Sequence, residues 1–304
     1  MTPEIHPDIP YAAAQPPGSR GHLLDLYRPP ASGDRRPLLI VCGGSGWMGD
    51  DGKDYAADLA PHFVAAGYVV AGVSTRSSRQ ARFPAQVHDV KAAIRWLRAH
   101  AGEFGIDPRR VAVLGDSSGG WTAAMAGLTA HVPELAGDVG VTGHPSDVQA
   151  VVDLYGPTDF RRMDTHMLPG AYESFNETYG LTTGHDDPDS PESALLGVPI
   201  QDHPEKARTA NPITYVTGTA PPFLIAHGQA DMLVPPHQSE LLYAALEKAG
   251  VPAVLYSVPG AGHAKSIVDA THAPAVVTAT GGVPRAARPT LDTIDAFLQH
   301  AFGR

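Results

Sequence analysis

The stretch Val111-Ala-Val-Leu-Gly115-Asp116-Ser117-Ser118-Gly119-Gly120-Trp121 decides how the chain folds. Its aliphatic start leads directly into Gly-x-Ser-x-Gly, and a helical pattern of small residues follows. This order predicts a strand, a sharp turn and a helix, with one serine at the apex of the turn. Glycines on both sides permit a strained backbone and close approach of the neighbouring elements. Because the turn exposes a hydroxyl at a helix N-terminus, Ser117 is the candidate nucleophile.

Two serines are adjacent in this stretch, and their spacing separates them. Only Ser117 has glycine two residues before and two residues after it, since Asp116 stands two residues before Ser118. The letters Gly-Asp-Ser-Gly-Gly also occur in trypsin-like proteases, which are disulfide-bearing β proteins whose histidine and aspartate precede the serine. Here a helical pattern follows the serine and the chain has a single cysteine. The context therefore favours Ser117 in a strand–turn–helix unit.

Composition limits the class of protein and its partners. The 304 residues suffice for one large α/β domain, and the hydrophobic content of 43% is ordinary for a globular protein. A net charge of -10 and the lack of a basic stripe argue against a nucleic-acid partner. The single cysteine, Cys42, excludes internal disulfides and cysteine-based zinc sites. No apolar run is long enough to span a bilayer, and the first residues lack a signal-peptide pattern, so we expect a cytoplasmic protein.

Strand and helix patterns alternate along the chain. Buried strands are predicted at 38–42, 68–73, 111–114, 151–155, 222–226 and 253–258. Helices are predicted at 54–66, 86–101, 238–249 and 291–302. This alternation predicts an α/β fold with a mainly parallel central sheet and helices on both faces.

The remaining segments give the domain organisation. The proline-rich residues 1–20 predict an irregular N-terminal arm, and residues 21–304 a single domain. Residues 22–27 alternate apolar and polar side chains, as an antiparallel edge strand does. Residues 160–210 break the strand–helix rhythm, and we interpret them as a cap-like insertion over the sheet.

A serine hydroxyl needs a base and a group that orients the base. Functional loops follow the carboxyl ends of strands in an open parallel sheet, and two such loops follow the serine turn. The first contains Asp231 and the second ends at His263, which gives the order nucleophile, acid, base. His227 is the rival base, although a buried structural histidine is the simpler interpretation of that position. Asp153 is the rival acid, but it lies within a predicted strand.

A glycine-rich loop follows the first buried strand and reads Gly43-Gly-Ser-Gly-Trp47. An oxyanion hole needs two backbone N–H donors, one from Ser118 after the nucleophile and one from this loop. A tight turn without a catalytic role is the alternative. No Gly-Lys-Ser/Thr follows, so the loop is not a phosphate loop. Asp116, beside the nucleophile, either tunes the site or caps the following helix.

These motifs together resemble the α/β-hydrolase superfamily, within it the esterase/lipase branch near hormone-sensitive-lipase-like and bacterial feruloyl-esterase-like enzymes. The resemblance runs from about residue 20 to the C-terminus and includes three further motifs. They are Val152-Asp-Leu-Tyr-Gly-Pro-Thr-Asp-Phe160, Asn211-Pro-Ile-Thr-Tyr215 and Ala226-His-Gly-Gln-Ala-Asp-Met-Leu-Val-Pro235. It implies the α/β-hydrolase fold and a Ser-His-Asp triad. Relatives commonly have His-Gly-Gly-Gly-Trp or Gln-Gly-Ser-Ala-Trp at the oxyanion loop, so alignment on Trp47 puts Ser45 and Gly46 at the donor positions.

The expected activity is hydrolysis of small or aryl carboxylic esters through an acyl-enzyme on Ser117, with His263 as base and Asp231 as its orienting acid. Trp47 and Tyr155 are candidate substrate-binding residues, with ordinary core packing as the alternative. No cofactor is needed, and we interpret the acidic segment 185–189 as a hydrated loop, not a metal site.

The expected partner is a small-molecule ester, with no membrane and a possible homodimer. Two other functions stay open. One is a serine peptidase of the prolyl-oligopeptidase type, and the other is acyl transfer or cyclisation on a repurposed hydrolase fold.

Overall fold

A computed structural model of the chain describes residues 3–30 and 33–303. Residues 1–2, 31–32 and 304, which belong to the predicted arm and domain, lie outside this description. The described part contains one sheet of nine strands. In chain order they are β1 Glu4–Pro10, β2 Leu23–Arg28, β3 Arg36–Cys42, β4 Val69–Val73, β5 Ile106–Asp116, β6 Ala150–Leu154, β7 Phe223–Gly228, β8 Ala253–Val258 and β9 Val276–Thr280.

The strand order across the sheet is β1-β2-β4-β3-β5-β6-β7-β8-β9. The six strands from β4 to β8 pair in parallel, whereas β1, β2 and β9 pair antiparallel at the two sides. The predicted mainly parallel sheet is confirmed. The carboxyl ends of β5, β7 and β8 therefore meet at one edge, where the loops that contain Ser117, Asp231 and His263 begin.

Helices cover both faces of the sheet, as predicted. The helices are α1 Ala56–Ala65, α2 Ala85–Ala99, α3 Ala101–Phe104, α4 Ser118–Leu128, α5 Ala171–Tyr179, α6 Pro191–Leu196, α7 Pro204–Thr209, α8 His237–Lys248 and α9 Leu291–Ala301. Helices α2, α4 and α8 pack on one face, and α1 and α9 pack on the other. Alternate residues of β3 point to opposite faces, so that Leu38 and Ile40 join one core and Leu39 and Val41 the other.

The N-terminal arm differs from the prediction. Residues 4–10 form a strand, β1, which pairs with β2, so β2 is not an edge strand. The prolines that indicated an irregular segment are tolerated because β1 is the outermost strand, where an N–H is not needed on the outer side. The pairing register shifts between His6 and Ile9, and Asp8 in this bulge has a φ of 54°. The prediction of irregular structure was therefore wrong for β1.

The segment between β6 and β7 forms helices only, and it supplies the cap-like insertion that the sequence predicts. It holds α5, α6 and α7 together with short 3-10 helices at 160–162, 164–166, 184–186 and 212–215. Residues of α5 and α6 line the cavity beside Ser117, so the segment lies over the carboxyl edge of the sheet. That residues 21–304 form a single domain stays a prediction. In the described ranges, no helix has the length and apolar character needed to cross a membrane.

Candidate active site

Ser117 occupies a strained turn between β5 and α4. Its φ of 53° and ψ of -127° lie in a region that side chains other than glycine rarely adopt, at a cost of about 1–3 kcal/mol. Its N–H donates to the Leu154 carbonyl at 2.8 Å, which ties the turn to β6. A side chain at Gly115 would collide with the Gly119 carbonyl, and one at Gly119 with the Cys42 carbonyl. The flanking glycines therefore allow strand and helix to approach closely enough to hold the turn.

The structure places Ser117, His263 and Asp231 in one hydrogen-bonded chain. The distance from Ser117 Oγ to His263 Nε2 is 2.9 Å, and that from His263 Nδ1 to Asp231 Oδ2 is 2.8 Å. A carboxylate only accepts, so Nδ1 carries a proton and Nε2 of the neutral ring is free to accept from the serine. The Asp231 side chain is fully buried, whereas 16% of the His263 side chain is exposed.

Asp231 is held as a carboxylate by four donors. Its Oδ1 accepts the N–H groups of Leu233 and Val234, both at 2.9 Å. Its Oδ2 faces His263 and, at 3.2 Å, Nε2 of His227. Burial acts to raise the pKa of Asp231, but the hydrogen bonds from His227 and His263 outweigh it and hold the pKa well below its usual value. The group is therefore charged at neutral pH and suited to stabilising an imidazolium.

Neither of the two rival residues has a hydrogen bond to Ser117 in the described structure. His227 is buried between the Ser239 hydroxyl, 2.7 Å from Nδ1, and the Val234 carbonyl, 2.9 Å from Nε2. Asp153 is buried within β6 and accepts the Gly156 N–H at 2.9 Å. Burial raises the pKa of Asp153 to about 6. Both positions therefore fit the structural interpretation that the sequence offered for them.

The glycine-rich loop is anchored by the nucleophile turn through two side chains. Ser118 Oγ accepts the N–H of Ser45 at 2.9 Å and that of Trp47 at 3.2 Å. Asp116 Oδ1 accepts the Gly44 N–H at 2.8 Å, and its Oδ2 accepts the Tyr155 hydroxyl at 3.3 Å. Asp116 therefore holds this loop and does not cap α4, which has no side-chain cap at its start. Burial raises the pKa of Asp116 above its usual value.

These contacts correct the prediction for one oxyanion donor. The Ser45 N–H already donates to Ser118 Oγ, so it is not free to bind an oxyanion. Among the described residues the Gly46 N–H has no hydrogen-bond partner, and Ser118 N–H begins α4 without one. Gly46 has a φ of 58°, a conformation that suits glycine. Gly46 and Ser118 are therefore the two available donors.

The two predicted substrate-binding residues have different places. Trp47 lines the cavity beside Ser117, although most of its ring is buried edge-on against Trp121 and Phe160 at centroid distances of 5.3 and 5.4 Å. Tyr155 is only 1% exposed and does not line that cavity. Its ring instead packs against the His263 ring at 4.7 Å. The prediction for Tyr155 was therefore wrong, because its buried ring packs against the His263 imidazole and does not line the cavity.

The cavity at Ser117 is narrow, with a volume of about 20 Å³, which is room for about one water molecule. Sequence reasoning assigned no substrate-binding role to the other wall residues, which come from the loop after β6, the insertion and the Asp231 loop. They are Pro157, Phe175, Tyr179, His185, Pro191, Glu192, Leu233 and Val234. Only the aromatic character of the insertion pointed to them.

Asp187, in the acidic segment 185–189, accepts hydrogen bonds from nearby backbone N–H groups. Asp187 Oδ2 accepts the N–H groups of Thr182 and Thr183, each at 3.2 Å, and Oδ1 accepts that of Asp189 at 3.0 Å. Within residues 3–30 and 33–303, no group of three or more histidine, cysteine or acidic side chains has a metal-binding arrangement.

The sheet order, the strained serine turn and the cap-like insertion define an α/β-hydrolase. The particular family follows from comparison with known proteins: the BD-FAE family model matches residues 24–246, and the chain belongs to this family. This confirms the resemblance that the sequence motifs indicated.

Two curated relatives from Mycobacterium tuberculosis are named esterases. The chain is 34% identical to Esterase LipQ over 263 residues, which are 84% of this chain and 56% of LipQ. It is 32% identical to Esterase LipC over 81% of this chain and 58% of LipC. The chain thus spans little more than half the length of these relatives. A solved structure described as a truncated carbohydrate esterase from gut microbiota has a TM-score of 0.80 and 29% identity. The aligned region covers 99% of this chain and 97% of the chain in that structure.

Proposed function

We propose that the protein is a serine hydrolase that cleaves carboxylic esters through an acyl-enzyme on Ser117. The observation that carries this proposal is the hydrogen-bonded chain from Ser117 through His263 to Asp231. The relatives named as esterases support the same class of reaction.

In the first step, His263 Nε2 takes the proton from Ser117 Oγ as the oxygen attacks the ester carbonyl. Asp231 stabilises the imidazolium that forms. The tetrahedral intermediate collapses, His263 returns the proton to the leaving alkoxide, and the alcohol departs. His263 then takes a proton from water, whose oxygen attacks the acyl-enzyme carbonyl. When the bond from the acyl carbon to Ser117 Oγ breaks, His263 returns the proton to Ser117 Oγ and the carboxylic acid leaves.

The backbone N–H groups of Gly46 and Ser118 stabilise the oxyanion in both steps. Each donor of this kind contributes about 2.7–4 kcal/mol to the transition state. The start of α4 adds positive potential from its peptide dipoles at the same point. The reaction uses only protein groups and water, and we propose no cofactor.

Small esters with an alkyl or aryl group are the proposed substrates. The cavity beside Ser117 is narrow, which favours a small substrate, and its wall includes Trp47, Phe175 and Tyr179. A small-molecule ester remains the proposed partner. A cytoplasmic location and a homodimer stay predictions, and sedimentation velocity would test the homodimer.

The proposal is tested on p-nitrophenyl acetate with Ser117→Ala and with a fluorophosphonate probe. We expect the variant to lose turnover by about a millionfold, to the level left by binding and the oxyanion hole. The probe should label Ser117 in the native protein and leave Ser117→Ala unlabelled. Full activity in the variant, or labelling elsewhere, would contradict the proposal.

Two further measurements separate the alternative activities. Cleavage of aminoacyl-anilides without cleavage of esters would indicate a peptidase. Formation of product without oxygen from labelled water in the released acid would indicate acyl transfer or cyclisation. We expect ester cleavage with one labelled oxygen in the acid.

A further inference from the structure

Glu192 lines the cavity beside Ser117, and one of its two carboxylate oxygens is buried without a partner among the described residues. The residue lies in the first turn of α6 and is 3% exposed, and it lines the same cavity as Ser117 and His263. Within the described part of the chain its Oε2 has no hydrogen bond. Leaving a buried carboxylate oxygen unpaired is costly, so a ligand atom that pairs with it in the working enzyme accounts for its position.

His185 fixes the other oxygen of this carboxylate. His185 Nδ1 lies 3.0 Å from Glu192 Oε1, and Nε2 lies 3.1 Å from the Leu233 carbonyl. The ring is 1% exposed and lies against the Phe175 ring at 3.8 Å. Because a carbonyl only accepts, Nε2 must carry a proton.

The charge of the pair follows from its surroundings. Burial acts to lower the pKa of His185, but the charge and hydrogen bond of Glu192 outweigh it and raise that pKa above its usual value. Both ring nitrogens of His185 face acceptors, Glu192 Oε1 and the Leu233 carbonyl, so the hydrogen bonds favour a doubly protonated ring that balances the carboxylate. Such a pair does not require a cationic ligand, although the free Oε2 still requires a hydrogen-bond donor.

A second unpaired polar atom belongs to the same wall. Trp47 lines the cavity, and its buried indole Nε1 has no partner among the described residues. Two residues of the cavity wall thus each carry a buried unpaired polar atom, an acceptor on Glu192 and a donor on Trp47. A hydroxyl group both donates and accepts, whereas an ammonium group would use only the acceptor.

We infer that Glu192 Oε2, held in place by His185, is a subsite for a neutral hydroxyl group of the substrate, with the Trp47 indole N–H as a further donor in the cavity. This inference rests on the proposed ester hydrolysis and deepens it. The hydroxyl belongs either to the alcohol part of the ester, as in a monoacylated polyol, or to its acid part. The shared chemistry is a hydroxyl close to the ester bond.

Two matched substrate pairs test the subsite and distinguish its two sources. The alcohol pair is 2-hydroxyethyl acetate and ethyl acetate, and the acid pair is p-nitrophenyl 3-hydroxybutyrate and p-nitrophenyl butyrate. The readout is the ratio of kcat/KM within each pair. Because a hydrogen bond to a charged group is strong, we expect the wild-type ratio to favour the hydroxyl by about tenfold to a hundredfold in one pair. The pair that shows the preference identifies the part that bears the hydroxyl.

Glu192→Gln should bring that ratio close to one, since a neutral amide oxygen is the weaker acceptor. Glu177→Gln is the matched control, because it makes the same chemical change on the exposed side of α5, in the same insertion. It should keep the wild-type ratio. If Glu192 had only a structural role, Glu192→Gln would slow both members of a pair equally, and an unchanged ratio would overturn the inference.

If Glu192→Gln does not fold, the wild-type kcat/KM ratios of the two substrate pairs still test the subsite. Wild-type ratios near one in both pairs would overturn the subsite while Ser117-dependent cleavage of the esters continues. Cleavage of ethyl acetate by Ser117→Ala at the wild-type rate would instead contradict the proposed function. The two failures are therefore distinguishable.

Discussion

The Asp231 carboxylate faces two imidazoles and two backbone N–H groups, and only its bond to His263 leads to Ser117. Replacing it by asparagine would present an amide to His263 and favour the wrong tautomer of the ring. We expect Asp231→Asn to lower kcat on p-nitrophenyl acetate by about ten-thousand-fold. Asp153→Asn is the matched control and should stay within about tenfold of wild type. Equal losses in both variants would show that the acid is not Asp231 alone.

Asp153 also gives a prediction about stability and pH. Burial raises its pKa from an ordinary 3.8 to about 6, so between these pH values the folded state holds a proton that the unfolded state releases. The free energy of unfolding should therefore fall as pH rises from about 4 to 6, by about 3 kcal/mol from this group. Asp153→Asn should lack this part of the pH dependence. Urea unfolding at pH 4.5, 6 and 7.5 measures it, and identical pH curves for the two proteins would contradict it.

At the scale of single residues, chain order and strand ends were enough to bring Ser117, Asp231 and His263 to one edge of the sheet. The contacts of the residues around these three could not be predicted from the sequence in the same way. Ser45 N–H is occupied because Ser118 Oγ turns toward it, and Tyr155 is buried because its hydroxyl meets Asp116. Both contacts depend on side-chain directions between segments far apart in sequence, which no local pattern contains.

The glycine-rich loop and α4 act together as one element, since Ser118 Oγ accepts two N–H groups of that loop. Ser118→Ala keeps the backbone donor of residue 118 but frees the loop that positions Gly46. We expect kcat on p-nitrophenyl acetate to fall by about tenfold to a hundredfold with KM nearly unchanged. Ser45→Ala keeps the backbone N–H that donates to Ser118 Oγ, so its kcat should remain within a few-fold of the wild-type value. A larger loss in Ser45→Ala than in Ser118→Ala would refute this view of the loop.

The junction of β3 and α4 depends on close backbone contact. A Cβ at Gly119 would overlap the Cys42 carbonyl, so Gly119→Ala should lower the free energy of unfolding by about 1–3 kcal/mol. Gly102→Ala in α3 is the control, because nothing lies within 4 Å of a Cβ there. That substitution should be neutral or stabilise by up to about 1 kcal/mol. Chemical denaturation compares the two, and equal effects would show that the contact is not tight.

Elements with a clear hydrophobic period were predictable from the sequence. Elements that depend on pairing or packing with distant segments were not. Helix α2 was predicted at 86–101 and runs from Ala85 to Ala99, because its apolar residues share one face. Strand β1 escaped prediction because Pro7 and Pro10 suggest a loop unless the pairing with β2 is known. The helices of the insertion are short, so tertiary packing and not local periodicity determines them.

At the scale of the molecule, the insertion between β6 and β7 contacts the loop that contains Asp231 through the bond from His185 to the Leu233 carbonyl. If residues 21–304 form one domain, sheet and insertion should unfold together. We expect a single calorimetric transition whose van't Hoff enthalpy equals the measured enthalpy. An early transition that abolishes the His185 contact but leaves the sheet intact would show that the insertion folds as a separate unit.

The two outer strands of the sheet differ in a way that bears on aggregation. Strand β1 carries two prolines and a bulge, devices that prevent another chain from adding to an exposed strand. Strand β9 reads Val-Val-Thr-Ala-Thr, without charge or proline, and its Val276 is 61% exposed. Such a segment is a template for intermolecular β pairing. At high concentration, self-association into fibrils should therefore begin at β9, and Val276→Lys should delay it.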